Sequence, residues 1–565
     1  MPDHTTTAMT SHGVPLAPPL AMQHKLFAAL SAMFGREVPL YDRSLLVNRA
    51  CNAVVCVLVG RLHRGFSISE EQLDRAGGER HGAIRIGRAD EYRWVGRFFR
   101  CFGMEPHNFY DMTSVGAKSQ PVIATAFRSM HAPEHRVFTS LLMTDSFDEA
   151  TRERIEALLA RREVFSARAR ALVEQSERDG GLRWTDAEAL IEEATTRIFK
   201  WTGRARGKDL YESLCGAGFK IAADIACFES HHLNHLTPNT LAIDLYTAAM
   251  KYCLGAWEGG AFRHYAGRAL ERLAKTCDRD WMRLHFRHLG DAELARFERG
   301  QVGTHDLVEL VERLLAEFRA EPFQLMKLQH SGFKDSTEGP PADRPIFLRQ
   351  DAYRALVEPV VFIGDDGSES PSVHAARFGE IEERWYACTP AGRAIYDACV
   401  ADAEEAVAGD PFLARRDYEA YERVYSAPFA PVPTTLRELL DRGMAHARFA
   451  PTAGGLAHAA AGRPFVTRDM LALADCGFVS YEGIRYEDFL PISAAGIFAS
   501  NLSQYGTTCT AAVKPVYSQA QLEAILGRPI IDAAAAYAQE EAASRRATLR
   551  ALGLDERPGP ASLGA

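Results

Sequence analysis

The 565-residue sequence lacks most of the short motifs that identify a chemistry by themselves. It has no Cys-x-x-Cys pair, which argues against zinc-ribbon and thioredoxin-like proteins. No GxGxxG or P-loop pattern indicates a nucleotide site, no GxSxG elbow indicates a serine hydrolase, and no HExxH pattern indicates a zinc hydrolase. Any catalytic residues must therefore come from segments that are distant in the chain.

The chain also lacks an excess of positive charge and a long apolar run. Its 65 basic and 74 acidic residues give a net charge of −9, which argues against nucleic acid as the main partner. The apolar stretch 51–60 is followed by Arg61, His63 and Arg64, so no segment approaches the roughly 18 apolar residues of a membrane span. We expect no nucleic-acid partner and no membrane partner.

Signals for export are missing as well. Residues 1–21 contain no Lys or Arg and do not have the basic region, apolar core and cleavage site of a signal peptide. The eleven cysteines are an odd number and lie mostly in apolar runs, which is typical of a reducing compartment. We predict a cytoplasmic protein, and the sequence makes no prediction of its oligomeric state.

What the sequence does contain is mixed helical and strand-like patterning. Apolar residues recur at helical spacing in 145–203 and 245–329. Short apolar or alternating runs at 83–86 and 360–363 predict strands, and the apolar run 221–228 has the pattern of a core strand. With 47% hydrophobic residues the chain can fill more than one core, and its length alone would suggest roughly three or four domains.

Three histidines lie close together between residues 229 and 239. In an extended segment His231 and His235 share one face, and His232 points to the other. Such a cluster is by itself more often a surface turn than a site. The apolar segments on both sides favour a buried position for this one.

A second candidate is the predicted strand over 79–87. Alternation places His81 and Arg85 on one face, where an imidazole suits a metal ion and a guanidinium suits a bound carboxylate. Between Arg61 and Arg100 there are nine arginines and six acidic residues, which favours an anionic ligand. Taken alone, His81 would more often be an ordinary core or surface histidine.

A third candidate is the strand-like segment around Glu380 and Glu382, whose side chains share one face. An exposed edge strand is the ordinary alternative. Two histidines and one carboxylate from separate strands, with coordination positions left open, form the facial triad of non-haem Fe(II) oxygenases. A fourth segment, 486–498, has a proline-fixed turn that would bring Ser493 near a ligand carboxylate or form a tight core turn.

Together these segments resemble the 2-oxoadipate dioxygenase/decarboxylase family, also called hydroxyglutarate synthases, of the vicinal oxygen chelate superfamily. The resemblance rests on five segments in family order, 80–85, 234–238, 348–350, 377–382 and 489–498. It implies that His81, His235 and a glutamate hold Fe(II). Glu380 is the expected ligand, because its strand is also similar to that of hydroxyphenylpyruvate dioxygenases, and Glu382 is the alternative.

The resemblance further implies the substrate contacts and the reaction. Arg85 would hold a substrate carboxylate, and Ile492 and Ser493 would line the substrate site beside His81 and His235. The catalytic residues would then be His81, Arg85, His235 and Glu380. The partners are a small 2-oxo dicarboxylate and O2, and 2-oxoadipate would yield 2-hydroxyglutarate and CO2, a step of lysine catabolism.

For the fold, the family implies an α+β protein with a curved mixed β-sheet of vicinal-oxygen-chelate type around the metal and helices outside. We expect a flexible lead-in over 1–25, one catalytic unit over 26–505 and a C-terminal helical segment and tail over 506–565. The stretch 245–329 is expected to be a helical insertion.

Two residues depart from the family pattern next to the expected ligands. Asn239 stands where an arginine is expected, and Trp385 lies where members more usually have glycine. These departures leave the preferred 2-oxo acid open. The alternatives are a dioxygenase of aromatic 2-oxo acids, as in hydroxyphenylpyruvate enzymes, and a non-catalytic relative that binds a metal or a small acid.

Overall fold

The described chain combines many helices with several small β-sheets. The computed structural model describes residues 15–113, 119–131, 133–287, 289–294, 298–490 and 517–554. The helices are α1 Pro19–Glu37, α2 Pro39–Leu62, α3 Glu70–Ala76, α4 Ala89–Cys101, α5 Glu149–Ala160, α6 Ala167–Asp179, α7 Trp184–Glu193, α8 Lys208–Gly216, α9 Lys220–Cys227, α10 Ile243–Cys253, α11 Gly259–Thr276, α12 Arg279–His285, α13 Asp291–Leu294, α14 His305–Leu315, α15 Pro390–Ala408, α16 Leu413–Arg416, α17 Tyr418–Ser426, α18 Leu436–Asp441, α19 Ala453–Ala460, α20 Met470–Asp475, α21 Gln519–Leu526 and α22 Ala533–Ala551. The strands are β1 Arg80–Ile86, β2 Glu105–Asp111, β3 Val122–Arg128, β4 His135–Leu142, β5 Arg204–Ala205, β6 His235–Pro238, β7 Leu348–Tyr353, β8 Glu358–Ile363, β9 Glu369–His374, β10 Gly379–Arg384, β11 Ala447–Pro451 and β12 Val479–Gly483.

The first two helices each begin with a proline, whose missing N–H would have no partner in the first turn in any case. α1 starts at Pro19 and already buries Met22 and Gln23. The predicted flexible lead-in over 1–25 is therefore wrong for residues 19–25, because the apolar face of α1 orders them.

α2 is a central helix of the core. Its most apolar window has a mean hydropathy of 1.6, so by length and composition it passes the test for a membrane span, contrary to the prediction from the sequence. Half of that window is buried inside the protein. α2 packs against α1, α10, α11 and α14, and Val47, Val54 and Leu58 are fully buried there.

A five-stranded mixed sheet holds two of the predicted metal ligands. Its strand order is β2-β3-β4-β1-β6, with β1 parallel to β4 and antiparallel to β6. Ala83 of β1 is paired with His235 of β6. His81 and His235 therefore come from neighbouring strands, although a long stretch of chain separates them.

β10 lies along the other edge of β6 and pairs antiparallel with β7. Across this edge the backbone N–H of Phe378 donates to the carbonyl of Asn234 at 3.1 Å, and that of Thr240 donates to the carbonyl of Glu382 at 2.8 Å. The strand that holds the candidate glutamates is therefore next to the strands that hold the two histidines.

The mixed α and β content predicted from the sequence is confirmed. Helices occupy much of 145–203 and 245–329, and strands cover 83–86 and 360–363 as predicted. The prediction of a strand over 221–228 is wrong, because these residues lie mostly in helix α9. A short buried apolar run does not distinguish a helix from a strand, and the sequence offered no other signal there.

Candidate metal centre

His81 lies in the interior of the five-stranded sheet, on β1, with a side chain that is 0% exposed. Its Nε2 atom is 3.2 Å from Glu380 Oε2, and its Nδ1 atom is 2.8 Å from Glu382 Oε2. Burial acts to lower the pKa of His81, but the two carboxylates outweigh it and hold the pKa above its usual value. The imidazole is thereby fixed between the two candidate glutamates.

His235 is the first residue of β6, and its ring stands at 90° to that of His81 with the centroids 5.4 Å apart. Burial lowers the pKa of His235 to about 4, so the imidazole is neutral near pH 7, the form that binds metals. Among the residues that the structure describes, neither ring nitrogen has a hydrogen-bond partner. Such buried polar atoms are uncommon, and here they indicate a missing ligand.

Glu380 on β10 completes the group. Its Oε2 atom lies 3.5 Å from His235 Nε2 and accepts a hydrogen bond from Thr237 Oγ1 at 2.8 Å. Its Oε1 atom has no partner within the described chain. Burial raises the pKa of Glu380, but His235 and His81 outweigh it, so the pKa lies below its usual value. One ligand atom from each of the three residues lies within 4.8 Å of the others.

Glu382 has a different position. Its two carboxylate oxygens accept hydrogen bonds from Arg384 Nε and Nη2, both at 2.8 Å, in addition to the contact with His81. Burial raises the pKa of Glu382, but Arg384 and then His81 bring it down to about 2. Both oxygens are therefore occupied by protein groups, whereas Glu380 keeps a free oxygen beside the two histidines.

This set of donors fits a divalent transition metal. Two imidazoles and one carboxylate form the facial arrangement of non-haem iron sites, and zinc also accepts such ligands. The partners of the ligands are those that metal sites commonly have, with Glu382 on the far nitrogen of His81 and Thr237 on Glu380. One ion at this position would satisfy Glu380 Oε1 and one of the two unpartnered ring nitrogens of His235.

Arg85 lies close to this centre but is paired with a residue that the sequence did not connect with it. Its Nη1 atom donates to Asp224 Oδ2 at 2.6 Å, and its side chain is 10% exposed. The positive charge of Arg85 contributes to the lowered pKa of His235. The guanidinium is therefore a cation held at the edge of the centre by Asp224 of α9.

Ile492 and Ser493, the other predicted substrate contacts, lie outside the described residues. The described chain before them ends at Leu490, and Phe489 packs edge-on against His81 with ring centroids 5.0 Å apart. The described chain therefore contacts His81 just before Ile492 and Ser493.

The two departures from the family pattern have identifiable neighbours. Arg485 donates to Asn239 Oδ1 at 3.2 Å and to Glu79 Oε2 at 2.8 Å, so an arginine from a different segment reaches the position where one was expected. Trp385 packs edge-on against His285 of α12, with the ring centroids 5.2 Å apart. Both departures are thus accommodated by contacts within this chain.

A cavity of about 790 Å³ lies on the β7 side of the centre. Its walls include Lys334, Gln350 and Leu490. Gln350 is paired in register with Glu382, and the charge of Lys334 acts on Glu380. The cavity is within the size range of small-molecule sites and is placed beside the candidate ligands.

The sequence reasoning missed two buried residues near this centre. Asp224 and His374 come together with His232 to form another group of possible metal ligands. The sequence places His232 only on the face opposite His235. Nothing in the local sequence connects Asp224, on a helix, with His374, at the end of a strand. His231, which we expected to share a face with His235, instead lies 3.9 Å from Glu91.

A family model and several known proteins match the part of the chain that contains these residues. The family model described as 2-oxoadipate dioxygenase/decarboxylase matches residues 26–253 and 319–501. A 2-oxoadipate dioxygenase/decarboxylase from Pseudomonas putida is 33% identical over 95% of this chain and 98% of its own length. Another from Escherichia coli is 31% identical over 92% of this chain and 95% of its own length.

Solved structures agree with the sequence comparison. The crystal structure of the hydroxyglutarate synthase from Pseudomonas putida in complex with 2-oxoadipate superposes with a TM-score of 0.67 at 31% identity. The match covers 95% of this chain and 99% of that one. The likeness therefore extends over nearly the whole length of both proteins.

Proposed function

This chain belongs to the 2-oxoadipate dioxygenase/decarboxylase family, and we propose that it uses Fe(II) to convert 2-oxoadipate and O2 to 2-hydroxyglutarate and CO2. The observation that carries the proposal is the convergence of His81, His235 and Glu380, all buried, with unpartnered ligand atoms on two of them. The reaction needs no further cosubstrate, because the atoms of 2-oxoadipate and O2 balance those of the two products.

His81, His235 and Glu380 would hold the metal. A bound Fe(II) would supply the redox chemistry that lets O2 react with the 2-oxo acid. Glu382 would accept a hydrogen bond from the Nδ1–H group of His81, which leaves the Nε2 lone pair for the ion, while Arg384 keeps Glu382 ionised.

Arg85 would bind a carboxylate of the substrate through its guanidinium. Its pairing with Asp224 leaves further N–H groups to donate and fixes the direction in which they point. Ile492 and Ser493 would line the same site, because they follow Phe489, which packs on His81.

We also propose that the sheets form one curved surface of the vicinal-oxygen-chelate type. In support, β10 and β7 continue past the edge of β6, so strands β1, β6 and β10 follow one another around the ligands. Residues 26–505 would then be one catalytic unit with a helical insertion over 245–329. The family model leaves 254–318 unmatched, which fits such an insertion.

We further propose that the enzyme acts in lysine catabolism and in the cytoplasm. The experiment that tests the function is simultaneous measurement of O2 uptake, CO2 release and 2-hydroxyglutarate formation from 2-oxoadipate, with metal-free enzyme reconstituted with Fe(II). We expect equal amounts of O2 consumed and CO2 released. Equal turnover without O2 would show that the enzyme is not an oxygenase.

Two controls separate the alternatives. An aromatic 2-oxo acid such as 4-hydroxyphenylpyruvate should react much more slowly than 2-oxoadipate, since it lacks the second carboxylate that Arg85 would bind. The Glu380→Gln variant should lose both iron and turnover. Tight binding of iron and 2-oxoadipate without O2 uptake would instead identify a non-catalytic binding protein.

A further inference from the structure

A second group of possible metal ligands shares no residue with the first centre and adjoins it through the ion pair of Arg85 with Asp224. Asp224 is on α9, His232 is in the segment before β6, and His374 is the last residue of β9. Their exposures are 1%, 4% and 3%, so all three are buried. Trp201 and Phe228 pack on the two imidazole rings and close the group off from water.

The three side chains converge on one point. Asp224 Oδ1 is 3.2 Å from His232 Nε2 and 3.1 Å from His374 Nε2, and the three atoms lie within 4.8 Å of one another. Ligand atoms around a tetrahedral zinc ion with bonds of roughly 2.0–2.1 Å are about 3.3 Å apart. The observed separations are close to that value.

The near atoms of the group have no well-aligned partner. Within the described chain, Asp224 Oδ1 and His374 Nε2 have no hydrogen bond of good geometry, although the two atoms are only 3.1 Å apart. The Asn234 amide nitrogen, which can only donate, lies 3.3 Å from His232 Nε2 and 3.1 Å from Asp224 Oδ2. The Asn234 amide therefore adjoins both the carboxylate of Asp224 and the imidazole of His232.

The outer atoms of Asp224 and His374 are held by protein groups, whereas His232 Nδ1 has no hydrogen-bond partner within the described chain. Tyr211 contacts His374 Nδ1 through its hydroxyl at 2.8 Å, and Arg85 donates to Asp224 Oδ2 at 2.6 Å. Partners on the far atoms, with the near atoms left free, are the usual surroundings of metal ligands.

We propose that Asp224, His232 and His374 bind a second divalent transition metal, with Zn²⁺ as the expected ion. Two imidazoles and a carboxylate in a closed apolar surrounding suit a four-coordinate zinc ion whose fourth ligand is water. The ion would connect α9, the segment that leads into β6 and the end of β9. It would thus join the five-stranded sheet to the sheet formed by β5, β8 and β9. This site does not depend on the proposed function of the first centre.

The first test counts ions in the full-length protein. Metal-free wild type is reconstituted with Co²⁺, and bound cobalt is measured by mass spectrometry and by visible absorption. We expect two ions per chain in the wild type and one in His374→Gln. One ion in both proteins would overturn the proposal and identify the group as a hydrogen-bonded network alone.

A second arm removes the first centre. The double variant His81→Ala/His235→Ala should keep one Co²⁺ with the intense absorption of a four-coordinate site, and adding Asp224→Asn should abolish it. His231→Gln is the matched control, because it replaces the neighbouring buried histidine that is outside the group, and it should keep the ion. Retention of cobalt by the Asp224→Asn triple variant, or its loss from the double variant with native circular dichroism, would also refute the proposal.

Discussion

The position of Glu382 allows a prediction that separates a metal ligand from the residue that orients one. In Glu382→Gln the side chain keeps its size but loses its charge, while Arg384 and His81 stay in place. Removing one partner of a buried ion pair costs about 3–5 kcal/mol, because the other charge stays buried without compensation. Arg384 Nη1 also donates to the carbonyls of Tyr486 at 3.2 Å and Asp488 at 2.8 Å, so we expect the lower value, about 3 kcal/mol.

The effect on the metal should be smaller than loss of a ligand. Replacing a residue that orients a metal-binding histidine lowers metal affinity by roughly 10–100-fold. We expect Glu382→Gln to bind Fe(II) with that reduction, measured by competition with a chelator, and Glu380→Gln to bind none at the first centre. Urea unfolding of the metal-free proteins measures the loss of stability independently.

A double variant separates the two effects. In Glu382→Leu/Arg384→Met the buried ion pair is replaced by apolar side chains, so no charge is left unpaired and stability should recover in part. Recovery should be incomplete, because the carbonyls of Tyr486 and Asp488 lose the donor that Arg384 supplies. Metal affinity should stay reduced, because His81 Nδ1 still has no carboxylate. If Glu382→Gln lost all iron while Glu380→Gln kept it, the assignment of the ligand to Glu380 would be wrong.

Three further predictions concern Arg85, Gly379 and the buried His107 of β2. Arg85→Met should raise KM for 2-oxoadipate by at least tenfold and leave iron content at the first centre unchanged, as steady-state kinetics and metal analysis would show; an unchanged KM would remove Arg85 from the substrate site. Gly379→Ala places a Cβ 2.2 Å from the buried Tyr353 ring, so it should cost about 1–3 kcal/mol and lower iron occupancy by displacing Glu380; wild-type occupancy would contradict this. Burial lowers the pKa of His107 to about 4, so the folded state binds fewer protons than the unfolded state between about pH 6.5 and 4, and stability falls as the pH falls through that window. His107→Gln should show a weaker decline in urea midpoint over the same range, and an equal decline would show that His107 does not contribute.

The sequence predicted the parts of the site that follow from local patterning. Alternation of apolar and polar residues predicted that His81 and Glu380 lie on strands, and the resemblance to a family connected them with His235. The structure brings the three residues together. Their role as metal ligands stays a prediction. The partner of Arg85 could not be predicted, because Asp224 lies in an apolar run that was taken for a strand. In helix α9 the carboxylate of Asp224 contacts Arg85 of β1, and the hydrophobic periodicity of the sequence does not predict this contact.

The extent of α1 and the burial of α2 were missed for a related reason. Whether a long apolar helix crosses a membrane or fills a core depends on what packs against it, and the helices that cover α2 come from as far along the chain as α14. Likewise, His374 is the end of a strand whose other residues are partly exposed, so its burial arises from Trp201 and Phe228 and not from its own segment.

The arrangement of β1, β6 and β10 has a consequence for the time at which the metal can be acquired. His81, His235 and Glu380 become neighbours only when strands from the beginning, middle and later part of the chain have paired, and closing such long loops is slow. A nascent chain that ends before β10 has two of the three donors and no carboxylate on β6 to replace Glu380. We therefore expect the first centre to bind its metal only when synthesis is nearly complete. Metal binding would then show that the strands of the sheet have paired. A truncated chain would not retain the ion.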